Sequence, residues 1–427
     1  MFQVLKNSWR VTEIRKKILY TIMIIAIFRI GSIIPVPFID IAALKAGMQS
    51  VVSGEGIGSF LSYINILTGG GLEYGAIFAM SVTPYINASI IMQLLSVAIP
   101  ALERISKEGE EGRKVIAKWT RYVTVILAFI QATGLYFGLR NAVVNPGLYS
   151  YITIVATFTA GTAFLIWLGE QITEKGVGNG ISIIIFAGIV SGVPGMVNDM
   201  YQNYIMENLN IWGILGIVLF IIAMIVFVVF INDAERRIPV QYAKRMVGRK
   251  MYGGQSTHIP IKVALAGVIP IIFAMSILAF PTTIMQFTGG MPTQGFWGAF
   301  WRQVTSGWVY IALYFLLIVF FTYFYTAIQF NPIEIANNMK RNGGSIPGIR
   351  SGKPTSDYIS RILTRVTLAG AMFLAIVAVI PMILGQVVGF RISIGGSSLL
   401  IMVGVALETV KQIESQMLMR HYKGFLE

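Results

Sequence analysis

Apolar residues in this chain come in long uninterrupted runs, not at the spacing of amphipathic helices or half-buried strands. Charge-free windows of at least 18 residues occupy 74–102, 122–139, 141–169, 176–198, 211–232, 263–301, 303–333 and 366–390. A helix needs roughly 20 apolar residues to cross a hydrocarbon core about 30 Å thick, so each window predicts one membrane span. Two shorter runs flank them: 18–37, interrupted by Arg29, and 392–407, closed by Glu408. Together they predict ten spans.

The first run follows Lys6, Arg10, Arg15, Lys16 and Lys17, the charge pattern of a secretory signal. No small-residue cleavage site follows, and the run continues through Pro35 and Pro37, which predicts a retained first span. Between the first two spans Ile57 leads into Gly58, Ser59, Phe60, Leu61, Ser62, Tyr63, Ile64, Asn65, Ile66 and Leu67. As a helix this stretch reaches about 16 Å, too short to cross. Gly69, Gly70 and Gly71 break the chain before the span expected to start near Tyr74. A re-entrant segment tucked into a cavity fits best; a helix lying in the external interface is the alternative.

Composition agrees with a membrane protein. Of the 427 residues 55% are hydrophobic and only 12% charged, where a soluble domain carries about 25% charged residues. The formal net charge of +14 would suggest nucleic acid in a soluble protein, but here its placement reads as topology. The N-terminus carries 5 Lys and Arg, the loop 103–121 carries 6, Lys175 stands alone, 233–262 carries 7, 334–365 carries 6 and the tail 3, altogether 28. The opposite loops hold only Lys45, Arg140, Arg302 and Arg391. That bias predicts both termini in the cytoplasm.

Ion-coupled transport usually places ionisable residues inside spans, at about 2.5–3.5 kcal/mol each on insertion scales. The span centres here are nearly bare: Arg29 lies near an external end, and Glu170 and Glu408 near cytoplasmic ends. There are no cysteines and two histidines, His258 and His421, so no metal or redox site is expected. The Gly176-Val177-Gly178-Asn179-Gly180 stretch lacks a following Lys-Ser/Thr pair and a preceding strand, which argues against a phosphate loop and for a pliable turn at the membrane edge. Nothing pairs a nucleophile with a base, so no enzyme is expected. Sodium held by backbone oxygens would leave no such trace, so a secondary transporter of a small solute stays open, as does a membrane scaffold. Loops 233–262 and 334–365 are long and basic, with Arg249 and Lys250 near the tip of one and Arg350 in the other. Topology alone accounts for such charge; docking of an acidic protein or ribosomal RNA is the other reading.

Motifs along the whole chain resemble the SecY family. They are Gly169-Glu170-Gln171-Ile172-Thr173-Glu174-Lys175-Gly176 running into Gly178-Asn179-Gly180-Ile181-Ser182-Ile183-Ile184-Ile185-Phe186-Ala187-Gly188, and Thr83-Pro84-Tyr85-Ile86-Asn87-Ala88-Ser89-Ile90-Ile91-Met92-Gln93-Leu94-Leu95. Gln255-Ser256-Thr257-His258, Ala266-Gly267-Val268-Ile269-Pro270, Phe330-Asn331-Pro332 and Pro347-Gly348-Ile349-Arg350 add to them.

The resemblance implies an all-α integral membrane fold, ten transmembrane helices in two pseudo-symmetric inverted five-helix halves around a central hourglass pore with a plug helix. It divides the chain into a cytoplasmic N-terminus (1–17), a first half (18–205) with the plug segment 57–68, a second half (206–417) with the docking loops 233–262 and 334–365, and a cytoplasmic tail (418–427). By family position Val82, Ile86, Ile181, Ile185, Ile272 and Ile401 form a ring of aliphatic side chains at the pore constriction, and residues 58–67 the plug. Val82 departs from the larger isoleucine also familiar there. Branched apolar side chains seal against ions by excluding water and offer no fixed hydrogen bonds to a passing chain. Gln93 falls at a lateral gate between the second and third spans and the seventh and eighth, and Arg249, Lys250 and Arg350 at docking positions. The resemblance further implies translocation of unfolded secretory polypeptides and lateral release of membrane segments. The expected partners are SecE, SecG, SecA, the ribosome, signal-sequence-bearing preproteins and the lipid bilayer. No cofactor is implied, and the place is the bacterial plasma membrane.

Overall fold

The computed structural model describes residues 8–45, 65, 68–206, 210–242, 245–247, 250–252, 256–287, 303, 307–388 and 395–423. Helices stand at all ten predicted places. In the first half they are α1 (Thr12–Gly31), α2 (Thr83–Ala98) continued by α3 (Pro100–Lys107), α4 (Glu110–Gly138), α5 (Leu148–Lys175), and α6 (Gly180–Ser191) continued by α7 (Val193–Ile205). In the second half they are α8 (Ile211–Asp233), α9 (Ile269–Phe287), α10 (Trp308–Gln329) followed by α11 (Pro332–Arg341), α12 (Lys353–Val388) and α13 (Gly396–Lys423). By length and composition seven described helices suffice to cross a membrane, or eight when α2 and α3 count as one bent span. The remaining two places are held by α1, which carries Glu13, Arg15, Lys16, Lys17 and Arg29, and by α9.

The second span differs most from expectation. Residues 69–82 form successive turns, so the helix begins at Thr83 and not near Tyr74. Pro84 sits in its first turn, where a missing N–H leaves no bond unmade. At Ile99 the backbone turns extended (φ −106°, ψ 112°), as a residue before proline prefers, and α3 leaves α2 at 107°.

Helix packing repeats between the halves. In the first, α1 packs on α6, α2 on α4, α4 on α5 and α5 on α6; in the second, α8 packs on α13, α9 on α10, α10 on α12 and α12 on α13. The halves meet along two seams. At the front α9 packs against α2 and α4, and at the back α13 packs against α6.

Strands among the described residues confine themselves to the segments predicted as cytoplasmic loops. The strands are β1 (Glu235–Tyr242), β2 (Arg245–Val247), β3 (Lys250–Tyr252), β4 (Ser256–Lys262) and β5 (Gly344–Ser345). A three-stranded sheet has the order β4-β1-β5, and β2 pairs β3 in a separate ribbon. Along β1 only Ile238 and Val240 are buried, two residues apart and therefore on one face. They join Ile261, Met339, Ile346, Ile359 and Leu363 in a small apolar core of their own.

Candidate functional site

Where the halves meet, the six predicted ring residues converge on one apolar cluster: Val82, Ile185 and Ile401 are buried in it, and Ile86, Ile181 and Ile272 pack against it. Each sits just before a helix or within its first two turns. Val82 precedes α2, and its carbonyl accepts the N–H of Ile86 at 3.0 Å. Ile181 and Ile185 lie one turn apart on α6, whose start is capped by Asn179 Oδ1 accepting the Ser182 N–H at 3.4 Å. Ile272 and Ile401 lie within the first two turns of α9 and α13.

Two further members of that cluster continue the pairing of the ring residues. Val405 is buried in the same cluster, and Val268 packs against it. They stand four residues from Ile401 and Ile272, so helical spacing makes them the counterparts of the Val82/Ile86 and Ile181/Ile185 pairs. Val268, Ile272, Ile86 and Met402 also pack against the second half's main core, so they are where the two interiors join.

The Gly176–Gly180 turn is tightly held where the sequence predicted a pliable one. Thr21 Oγ1 on α1 accepts the Val177 N–H at 3.1 Å, and Thr173 Oγ1 accepts that of Gly180 at 2.9 Å. Gly178 adopts φ +83°, and Gly180 lies against the Gly169 carbonyl with no room for a side chain. On the same side Ile14, Val177 and Ile413 form a small apolar cluster linking α1 to α13, and Lys17 Nζ donates to Gln416 Oε1 at 3.4 Å.

The front seam is built differently. Thr83, Asn87, Ile90 and Leu94 share one face of α2. Ile90 belongs to the second half's core and Leu94 packs against it. On that face Thr83 Oγ1 and Asn87 Oδ1 are buried without a hydrogen-bond partner. Gln93, the predicted gate residue, is exposed.

Of the segment 58–67 only Asn65 lies within the described residues; the other nine fall outside them. Asn65 Nδ2 donates to Glu73 Oε1 at 2.6 Å, its Oδ1 accepts the Glu73 N–H at 3.3 Å, and its carbonyl accepts the Gly70 N–H at 2.8 Å. Arg29 Nη1 donates to the Gly69 carbonyl at 3.4 Å, so this intramembrane charge engages the glycine break. Glu170 pairs with Arg121 of α4 at 2.6 Å.

Of the docking positions, Arg249 lies outside the described residues. Lys250 opens β3, where it pairs with Val247. Arg350 is exposed, and its carbonyl accepts the Thr355 hydroxyl at 2.8 Å just before and into α12.

Comparison with known proteins fits this arrangement. A sequence model of the SecY family matches residues 76–410. The chain is 48% identical over 439 positions to the protein translocase subunit SecY of Halalkalibacterium halodurans and 45% identical over 441 to that of Bacillus subtilis, covering 100% of both partners each time. With that of Thermotoga maritima it shares 42% over 437 positions, covering 100% of this chain and 98% of the relative. Among solved structures, a protein-conducting channel superposes with a TM-score of 0.67 at 19% identity, covering 94% of this chain and 92% of the other. Sec61 from the canine ribosome-channel complex of the endoplasmic reticulum gives 0.63 at 17%, with the same coverage. The structural likenesses speak for the fold, and the sequence matches span essentially the whole chain: it belongs to the SecY family.

Proposed function

We propose that this chain is the central subunit of a protein-conducting channel, which passes unfolded secretory polypeptides across the bacterial plasma membrane and releases membrane-protein segments sideways into the lipid. The observation that carries the reading is the meeting of six aliphatic side chains, from helices of both halves, in one apolar cluster. Such a constriction excludes water and ions while holding no polar group that would trap a moving chain. Membership of a family whose relatives bear the name protein translocase supports it.

In this reading Val82, Ile86, Ile181, Ile185, Ile272 and Ile401 are the pore ring, residues 58–67 the plug, and the front seam beside Gln93 the lateral gate. A signal sequence passing that gate gains roughly 25 cal/mol per Å² of apolar surface moved from water, so sorting needs no chemical step. SecE and SecG are the membrane partners. SecA or a translating ribosome supplies the energy and docks on the cytoplasmic loops that carry Arg249, Lys250 and Arg350. Both termini face the cytoplasm, as the Lys and Arg distribution supports.

The test is reconstitution with SecE and SecA in liposomes. ATP-dependent protection of a precursor from external protease is the expected result, with the precursor crosslinking to photoreactive groups at the six ring positions. No protected precursor, or capture only at lipid-facing positions, overturns the reading. Deleting residues 58–67 is expected to raise ion leak while translocation partly survives.

A further inference from the structure

In the cytoplasmic sheet β1 is the central strand, flanked by β4 from its own loop and by β5 from the loop that bears Arg350. The second pairing is only two residues long, Gln241↔Ser345 and Tyr242↔Gly344. Its packing is specific nonetheless. A Cβ placed on Gly344 would lie 2.9 Å from Cε1 of Tyr242, so any larger residue there must displace that ring, and Ser345 Oγ donates to the Gln241 carbonyl at 3.5 Å. Beneath the seam Ile238, Val240 and Ile261 of one loop interlock with Met339, Ile346 and Leu363 of the other.

The sheet is also tied to the front seam. The Val263 N–H donates to the Ala234 carbonyl at 2.9 Å, which joins the exit of β4 to the entrance of β1. Gly370 of α12 presses against the Val263 carbonyl with no space for a side chain. Seven residues past Lys262 the chain enters α9, the second-half helix that meets α2 and α4.

We propose that Tyr242, Gly344 and Ser345 are positioning residues that join the two cytoplasmic loops into one lever, so that a partner docked on the Arg350 loop moves α9 through β1 and β4. The inference rests on the docking role proposed above. It differs from two independently docking loops in its prediction: parting the seam leaves the partner's grip intact but removes its effect.

The chain contains no cysteine, so Gln241→Cys with Ser345→Cys, cross-strand neighbours within disulfide reach, gives a single reversible clamp. In proteoliposomes with SecE, SecA-driven translocation is measured as maximal rate and as the SecA concentration giving half that rate. Gly344→Leu is expected to lower the maximal rate about tenfold while shifting the half-saturating concentration less than about twofold. In Gly344→Leu carrying the cysteine pair, oxidation restores the rate to within roughly threefold of the parent and reduction abolishes the gain. A Gly344→Leu rate near that of the unsubstituted protein overturns the lever, and so does a loss that oxidation leaves unrepaired. Tyr242→Ala, which removes the ring and crowds nothing, should repeat the rate defect; normal rates in it count against the lever. If unsubstituted protein shows no response to SecA, the docking role itself falls, an outcome distinct from a lever that fails while SecA still drives transport.

Discussion

The two seams between the halves are made of similar helices yet hold in opposite ways. At the back α13 lies on α6, and a polar group reaching across from α1 finds a partner there, Lys17 Nζ with Gln416 Oε1. At the front α9 lies on α2 and α4, and two buried oxygens of α2, on Thr83 and Asn87, find none. A buried polar group left unpaired costs about 1–3 kcal/mol, so the front contact is the weaker by construction. A molecule that must part along one line and stay joined along another needs this difference. Apolar packing alone does not supply it, because the second half's core reaches Ile90 of α2 without interruption.

The largest expected effect comes from fastening each seam in turn, in a chain without native cysteines. Joining α2 to α9 across the front through an engineered cysteine pair should reduce translocation at least tenfold, whereas joining Ile14→Cys to Ile413→Cys at the back should change it less than about twofold. Equal inhibition by both crosslinks would erase the distinction. Next in size is relief of the orphaned oxygens. Asn87→Leu should raise the thermal midpoint and slow translocation about fivefold to a hundredfold, the equivalent of roughly 1–3 kcal/mol. Thr83→Val should act in the same direction and more weakly. Unchanged stability and rate in Asn87→Leu would mean that the unpaired oxygen is not what weakens the front. The smallest effect belongs to Lys411→Ala, which removes a pair with Asp233 joining α13 to α8 at 2.6 Å. Both side chains are about half exposed, so the loss should stay under about 1 kcal/mol by thermal or denaturant unfolding. A greater loss would make this ion pair part of what holds the second half's end helices together.

Span positions were legible because burial in lipid demands long charge-free runs. Span ends were not. α4 begins at Glu110, twelve residues before its charge-free window, α12 at Lys353 rather than 366, and α13 runs to Lys423 rather than 407. Charged residues end an apolar run but do not end a helix that continues into water, so hydropathy marks the membrane's edge and not the helix's. The strands escaped notice for a related reason. Their apolar alternation, Ile238 and Val240 on one face, is short and lies among Arg236, Arg237 and Pro239. The ring positions came from family resemblance, and the four-residue spacing that would have added Val268 and Val405 was present in the sequence. The unpaired oxygens of Thr83 and Asn87 were not, since pairing depends on what the opposite helix offers.

The helices that overrun the membrane have a consequence for how the channel is fed. Upright, the 36 residues of α12 extend about 54 Å, and a hydrocarbon core takes up about 30 Å of that. Some 24 Å of helix is left to stand outside the core. An extended polypeptide advances at most about 3.3–3.6 Å per residue, so a chain running alongside that overhang spends roughly seven residues on it without crossing any lipid.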